Sequence, residues 1–221
     1  MTNQFLDTSV VIGYAGYISK EKLEGRDAII KLCVKFVENK KGKFLACYFT
    51  INKEINSLLK RQRIISNEIK RKIDDQNYEL CSSKEAKNGL YSEDINRTKK
   101  IYTFYSLNYS NKKEEFKQNL ISIQSNIETR ISFFIEKLVD EKVIPIKEIE
   151  PNLVNMLREI ISNYSDCNVL ASAIQYATQK KEEVIFVTLD KKDFAQNNID
   201  FMKEDKRFND YKLPIIEILS K

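Results

Sequence analysis

Four carboxylates that lie far apart in the sequence stand where predicted strands end or predicted helices begin. Asp7 follows the apolar segment QFL, and Asp190 follows VIFVTL. Asp166 opens a predicted helix, and Glu54 lies one turn into the helix that follows FLACYF. Because ligands of parallel sheets bind beyond the carboxyl ends of the strands, we expect these side chains to meet at one edge of a sheet. Like charges at close range raise one another's pKa or require a cation.

The chemistry open to such a group is restricted by the rest of the composition. The 221 residues include no histidine, which excludes hydrolases with an imidazole base, HExxH metalloproteases and histidine-based ribonucleases. The four cysteines have no CxxC spacing, and the five glycines form neither GxGxxG nor a P-loop. An all-oxygen ligand set favours Mg²⁺ or Mn²⁺, which activates water and neutralises a phosphodiester. The predicted reaction is therefore phosphodiester hydrolysis.

The elements that position these acids are predicted from apolar patterns that alternate between strands and helices. We predict strands over 4–6, 44–49, 184–188 and 213–219. Residues 143–149 contain Pro145 and are either a weak strand or only a connector. We predict helices over 10–18, 27–37, 51–73 with Thr50 as N-cap, 93–107, 114–139, 152–162 and 166–178. The alternation favours a single α/β domain over 1–221, an open parallel sheet flanked by helices in a Rossmann-like three-layer arrangement.

One region interrupts this alternation. Residues 77–140 contain a polar stretch over 77–92, which we predict as a loop, and then long helical patterns. We interpret residues 77–140 as a helical insertion or lid within the domain.

Three segments of the chain together resemble a known family. Residues 5–14 (FLDTSVVIGY), 165–177 (SDCNVLASAIQYA) and 184–194 (VIFVTLDKKDF) are similar to the three signature regions of the PIN-domain ribonucleases, in the family's order. That family includes the toxins of VapC-type toxin–antitoxin pairs. The resemblance implies a PIN-like fold and the activity of an endoribonuclease that depends on Mg²⁺ or Mn²⁺.

Residue by residue, the resemblance also implies a metal site. Asp7, Asp166 and Asp190 match the metal-binding acids of the family, and Asp193 matches its accessory acid. The hydroxyls of Thr8, Ser9 and Thr188 match the polar side chains that support the metal-binding acids in that family.

The second acid of the family is a glutamate on the helix after the second strand. Glu54 fits that place, and Glu68 and Asp75 stay open as competitors. In the implied mechanism Asp7, Asp166 and Asp190 hold the ion directly. Glu54 holds it directly or through water, and a metal-bound water attacks the phosphorus.

Basic residues indicate where an RNA backbone would bind. Residues 60–72 contain six basic side chains and only one acid, Glu68. The six are Lys60, Arg61, Arg63, Lys70, Arg71 and Lys72. This set is either a phosphate-binding stripe or an ordinary solvated helix face. Lys99 and Lys100 precede the tyrosine-rich run 102–109, which either stacks bases or, as we favour, packs beneath the insertion.

Partners and localisation complete the sequence-based hypothesis. No targeting segment and no run of about 18 apolar residues is evident, so we predict a cytoplasmic protein without a membrane partner. RNA is the predicted substrate, and an antitoxin, another protein or a second copy of the chain stays open as a partner. The main alternative is a PIN-fold module that binds RNA or protein without cutting. A haloacid-dehalogenase-like phosphatase is disfavoured because Ser9 stands where its second acid is expected.

Overall fold

The structure is a computed structural model that describes residues 2–16 and 26–220. Within these ranges the chain is an α/β protein with five strands and nine α-helices, as the alternating pattern predicts. The strands are β1 (Asn3–Leu6), β2 (Phe44–Cys47), β3 (Glu141–Val143), β4 (Val184–Thr188) and β5 (Ile215–Ile218). The helices are α1 (Thr8–Tyr14), α2 (Arg26–Glu38), α3 (Asn56–Asp74), α4 (Lys84–Gly89), α5 (Ser92–Asn108), α6 (Lys113–Phe133), α7 (Pro151–Arg158), α8 (Tyr164–Lys180) and α9 (Gln196–Glu204). The end of the helix predicted over 10–18 lies outside the described residues.

All five strands are parallel and follow the spatial order β3-β2-β1-β4-β5. The two strands that precede the predicted acids, β1 and β4, are therefore neighbours at the centre. Leu6 lies opposite Val187, and the backbone N–H of Asp7 donates to the Val187 carbonyl at 2.9 Å. The carboxyl ends of β1 and β4 thus meet at the same edge.

Helices cover both faces of the sheet. Because successive residues of a strand point to opposite faces, neighbouring residues of one strand pack against helices on opposite sides. Phe44 of β2 stacks on Phe36 of α2 with ring centroids 5.3 Å apart. Leu45, the next residue, belongs to a core cluster with Leu170 of α8 and Phe186 of β4. The buried strands carry almost only apolar side chains, which is typical of a parallel sheet covered on both faces.

The chain divides into two compact units. The first, residues 1–55 and 130–221, contains the sheet, and the second is residues 56–129. The second unit therefore differs in its bounds from the insertion predicted over 77–140.

The core of the second unit explains why it begins at α3. Ile65, Ile69 and Ile73 of that helix cluster with Tyr105 of α5 and Phe116 of α6. The apolar stripe of α3 is thus buried against helices that follow it in the chain, and a pattern read along one helix does not reveal its partners.

Three local predictions differ from the structure. Of residues 143–149, left open between a weak strand and a connector, only Val143 belongs to a strand, β3, and a 3-10 helix, Ile146–Glu148, follows Pro145. Thr50 is not an N-cap but the first residue of a π-helix, Thr50–Ile55. The loop expected over 77–92 contains α4.

None of the helices in the described ranges has the length and apolar character needed to cross a membrane.

Candidate metal centre

Asp7 lies at the carboxyl end of β1 and begins α1. Its side chain is 2% exposed, and its Oδ2 atom accepts hydrogen bonds from the Thr188 hydroxyl at 2.8 Å and from the Ser9 hydroxyl. The backbone N–H of Ser9 lies 3.3 Å from the same oxygen, so Asp7 also acts as the N-cap of α1. Burial raises the pKa of Asp7, although these hydrogen bonds oppose the effect.

Asp166 lies in the first turn of α8 and is 8% exposed. Its pKa is raised to about 8, first by burial and then by the charges of Asp7, Glu54, Asp190 and Asp193. Four other carboxylates therefore act electrostatically on Asp166. We call Asp7, Glu54, Asp166, Asp190 and Asp193 the acidic cluster.

Three members of the acidic cluster approach one another closely enough to share an ion. Asp166, Asp190 and Asp193 each offer a carboxylate oxygen, and these oxygens lie within 4.8 Å of one another. The motif resemblance implies only an accessory role for Asp193 and a direct one for Asp7. Asp7 is not a member of this close group, although its charge acts on Asp166.

The loop after β4 fixes two of these acids. Asp190 Oδ1 accepts the backbone N–H groups of Lys192 at 2.6 Å and of Asp193 at 3.2 Å. Asp193 in turn accepts the Ser162 hydroxyl at 2.9 Å and the Asn163 backbone N–H at 3.2 Å. The short connection into α8 is thereby tied to the loop that follows β4.

Thr188 and Ser9 link the central strands at their carboxyl ends. Besides donating to Asp7, the Thr188 hydroxyl accepts the backbone N–H of Asp190 at 3.0 Å. The Ser9 hydroxyl accepts the backbone N–H of Leu189 at 3.0 Å. The buried hydroxyl of Thr188 thus contacts two acids from opposite ends of the chain, Asp7 and Asp190.

The Glu54 side chain is hydrogen-bonded to a residue of α1. Its carboxylate accepts a hydrogen bond from the Thr8 hydroxyl, which lies 3.2 Å from the hydroxyl of Thr50. Thr50 and Glu54 are four residues apart in the π-helix, a geometry that recurs at functional sites.

The two competitors of Glu54 have other partners. The Glu68 carboxylate is 1% exposed and accepts Tyr78 Oη at 2.8 Å and Arg71 Nη1 at 3.1 Å. Asp75 Oδ1 accepts the backbone N–H of Asn77 at 2.8 Å. Of the three candidates, Glu54 is the one whose charge contributes to the raised pKa of Asp166.

Two carboxylate oxygens in the acidic cluster are buried and have no hydrogen-bond partner among residues 2–16 and 26–220. They are Asp7 Oδ1 and Asp166 Oδ2. A buried anionic oxygen without a donor is costly unless a proton or a cation neutralises it. The residues therefore fit a hard divalent ion, since all offered ligand atoms are oxygens.

The predicted RNA-binding residues on α3 belong to the second unit, and most have partners there. Arg61 Nε lies 3.1 Å from Asp94 Oδ2, and Arg63 Nε lies 2.9 Å from Glu128 Oε1. Arg71 pairs with Glu68, as above, and Lys72 Nζ donates to the Gln76 carbonyl at 2.6 Å. Lys60 and Lys70 form no ion pair with any residue that the structure describes. The count along α3 missed Asp94 and Glu128 because they belong to α5 and α6.

The tyrosine-rich run packs, as the favoured interpretation expects. Tyr105 is buried, with its ring centroid 4.9 Å from that of Phe116, and Tyr109 lies 5.4 Å from the same ring. Lys99 and Lys100 are exposed on α5.

Three supporting residues were missed from the sequence. Thr50 was taken only as an N-cap, and Ser162 and Asn163 were not singled out. Polar residues immediately before Asp166 were the available signal for the last two, but a serine and an asparagine before a helix are equally typical of ordinary capping.

Comparisons with protein-family models, with curated proteins and with solved structures find no significant match to this chain. The resemblance to PIN-domain ribonucleases therefore rests on its three motifs and stays a prediction.

Proposed function

We propose that this protein is a metal-dependent nuclease that hydrolyses RNA phosphodiester bonds at the acidic cluster. The observation that carries the proposal is a pair of buried oxygens, Asp7 Oδ1 and Asp166 Oδ2, that accept no hydrogen bond from any residue the structure describes. They belong to a group of carboxylates whose repulsion contributes to a pKa of about 8 at Asp166. A cation relieves both the repulsion and the missing hydrogen bonds.

Mg²⁺ or Mn²⁺ is the cofactor that this ligand set favours. Asp166, Asp190 and Asp193 would hold it, with Asp7 and Glu54 completing the acidic surroundings. When bound, the ion supplies charge neutralisation at a phosphodiester and lowers the pKa of a coordinated water.

The chain's own residues prepare the site for that ion. Thr188 and Ser9 orient Asp7, and Thr8 orients Glu54, so that neither carboxylate has to reorganise on binding. The hydrogen bonds from Lys192 and Asp193 do the same for Asp190.

RNA, rather than DNA, is the proposed substrate because of the motif resemblance. A toxin role with an antitoxin partner and a cytoplasmic location are proposals of the same kind. Lys60 and Lys70 are the two proposed backbone contacts on α3 whose side chains have neither an ion-pair partner nor a hydrogen-bond partner in the described part of the chain.

The test is cleavage of a fluorescent single-stranded RNA by the purified chain in Mg²⁺, in Mn²⁺ and in EDTA. We expect cleavage in either ion, none in EDTA, and recovery when the ion is restored in excess. Asp190→Asn should abolish cleavage, because it removes a ligand charge while keeping an Oδ1 acceptor for the loop N–H groups. Asp210→Asn, which changes an exposed acid, should cleave normally.

Two results would contradict the proposal. Full activity in EDTA refutes the metal mechanism. RNA binding without cleavage in either ion favours the alternative, a PIN-fold module that binds without cutting.

A further inference from the structure

An exposed aromatic residue lies close in sequence to a member of the acidic cluster. Tyr164 is the first residue of α8, two positions before Asp166, and 55% of it is exposed. The preceding residue, Asn163, donates its backbone N–H to Asp193. Tyr164 thus lies in the sequence between Asn163, which contacts the acidic cluster, and Asp166, which belongs to it.

The backbone under Tyr164 is fixed. Its carbonyl accepts Asn168 Nδ2 at 2.7 Å, and the Asn163 side chain caps α8 through the backbone N–H of Ser165 at 3.0 Å. The ring therefore projects from an ordered helix terminus, and its exposure does not arise from a loose loop. An aromatic side chain in this position offers a flat apolar surface at little cost in conformational entropy.

Arg158 places a cation against this ring. Its guanidinium carbon lies 5.4 Å from the Tyr164 ring centroid, and the residue is exposed at the end of α7. Pairs of this kind are weak when both groups are in water. Arg158 therefore keeps its charge available near the acidic cluster.

Three lysines add positive charge beside the same acids in the sequence. Lys191 and Lys192 lie between Asp190 and Asp193, and Lys53 precedes Glu54; all three are exposed. None of these lysines forms an ion pair with another residue in the described ranges. Carboxylates alone would repel a polyanion, so unpaired cations next to them suit a phosphate chain that must approach.

We propose that Tyr164 and Arg158 form a subsite in which an unpaired nucleobase stacks on the tyrosine ring while Arg158 holds an adjacent phosphate. An aromatic face combined with cations that follow the backbone is the arrangement by which proteins bind single strands without reading sequence. A base within a duplex is already stacked on both sides and has no free face for the ring. The inference rests on the proposed function for its ligand class, and it adds a positioning residue that lies outside the acidic cluster.

The test is equilibrium binding measured by fluorescence anisotropy, in EDTA, so that cleavage does not interfere. The probes are a labelled 12-nucleotide RNA, the DNA of the same sequence, and the RNA paired with its complement. Tyr164→Ala should weaken binding of the single-stranded RNA about fivefold or more, which corresponds to about 1 kcal/mol, the lower end for a base–aromatic stack. Duplex affinity should change less than twofold.

Two matched variants isolate the stacking contribution. Tyr164→Phe keeps the ring and should bind as the original chain does. Phe201→Ala removes an equally exposed aromatic residue, 54% exposed on α9, a helix that contributes no residue to the acidic cluster, and should also leave binding unchanged.

The outcomes separate this inference from the proposed function. If Tyr164→Ala binds single strands as tightly as the original chain, the subsite is refuted even when metal-dependent cleavage is found. If the loss occurs but no cleavage is ever observed, the subsite stands and the nuclease proposal fails. Equal losses with RNA and DNA indicate that the base is recognised, whereas a loss with one alone identifies that nucleic acid as the ligand.

Discussion

Asp166 is the residue at which burial and neighbouring charges act most strongly together. Its carboxyl group keeps a proton up to a pH of about 8 in the folded chain, against a usual pKa of 3.8. At neutral pH and without a cation, the acidic cluster therefore carries less negative charge than the number of its carboxylates suggests. A bound dication would displace that proton, so metal affinity is expected to rise with pH.

The same shift predicts how stability depends on pH. The folded chain retains a proton on Asp166 that the unfolded chain releases above about pH 4, so the stability linked to this proton is complete below that pH. It is lost as the pH rises to about 8. In EDTA, Asp166→Asn should therefore gain stability relative to the original chain between pH 5 and pH 8, on the order of a few kcal/mol.

Urea unfolding of both proteins at pH 5 and pH 8 measures this difference. Asp210→Asn, at an exposed position, is the control and should show the same difference from the original chain at both pH values. A pH-independent difference for Asp166→Asn would mean that the buried carboxyl is not destabilised by its surroundings.

At the scale of the elements, the site depends on close contact between β1 and the turn before β2. The backbone N–H of Gln4 donates to the Lys43 carbonyl at 2.8 Å. A Cβ atom added at Gly42 would lie 2.0 Å from the Thr2 carbonyl oxygen, a backbone atom that cannot rotate away. The absence of a side chain at Gly42 lets β1 lie in register with β2.

Gly42→Ala is therefore expected to destabilise the fold by about 1–3 kcal/mol, since overpacking against backbone must shift a strand. Gly89→Ala is the matched control: there the added Cβ would meet the tip of the Ile64 side chain at 2.8 Å, which can move. Chemical unfolding of the two variants should show a clear loss for the first and a small change for the second. Equal effects would show that the Thr2 contact is not what excludes a side chain.

Basic side chains on α3 depend on acids that other helices supply. Glu85, Asp94 and Glu128 belong to α4, α5 and α6, and they pair with Arg71, Arg61 and Arg63. Guanidinium groups held in this way organise the second unit and are less available to phosphate. The positive stripe predicted from the sequence is thus reduced chiefly to its lysines.

For the whole molecule, a net charge of +5 makes nucleic-acid binding sensitive to salt. If Lys60 and Lys70 contact phosphates, the double variant Lys60→Ala/Lys70→Ala should reduce the slope of log Kd against log salt concentration for single-stranded RNA by about 1.4, or about 0.7 per contact. Lys84→Ala/Lys87→Ala removes two exposed charges from α4 and is the control. Anisotropy titrations over a roughly sixfold range of salt, from about 50 to about 300 mM KCl, give the slopes. The same reduction in both double variants would assign the effect to net charge alone.

The amino-acid sequence by itself determined the class of fold and the edge at which polar groups collect. The pattern VIFVT over β4 predicts a strand buried on both faces, and helical periodicity between strands predicts parallel pairing. Asp7 directly follows β1 and Asp190 lies two residues after β4, so their placement at one edge follows from the sheet. These features are local, or follow from short crossovers, and an apolar pattern therefore suffices to predict them.

The tertiary structure alone decided which groups act on one another. Three findings depend on contacts between distant parts of the chain. Asp193 lies close to Asp166 and Asp190, Glu54 is hydrogen-bonded to Thr8, and the second unit begins at α3. Burial and electrostatic interaction depend on distances in space, and neither quantity is contained in the periodicity of a single element.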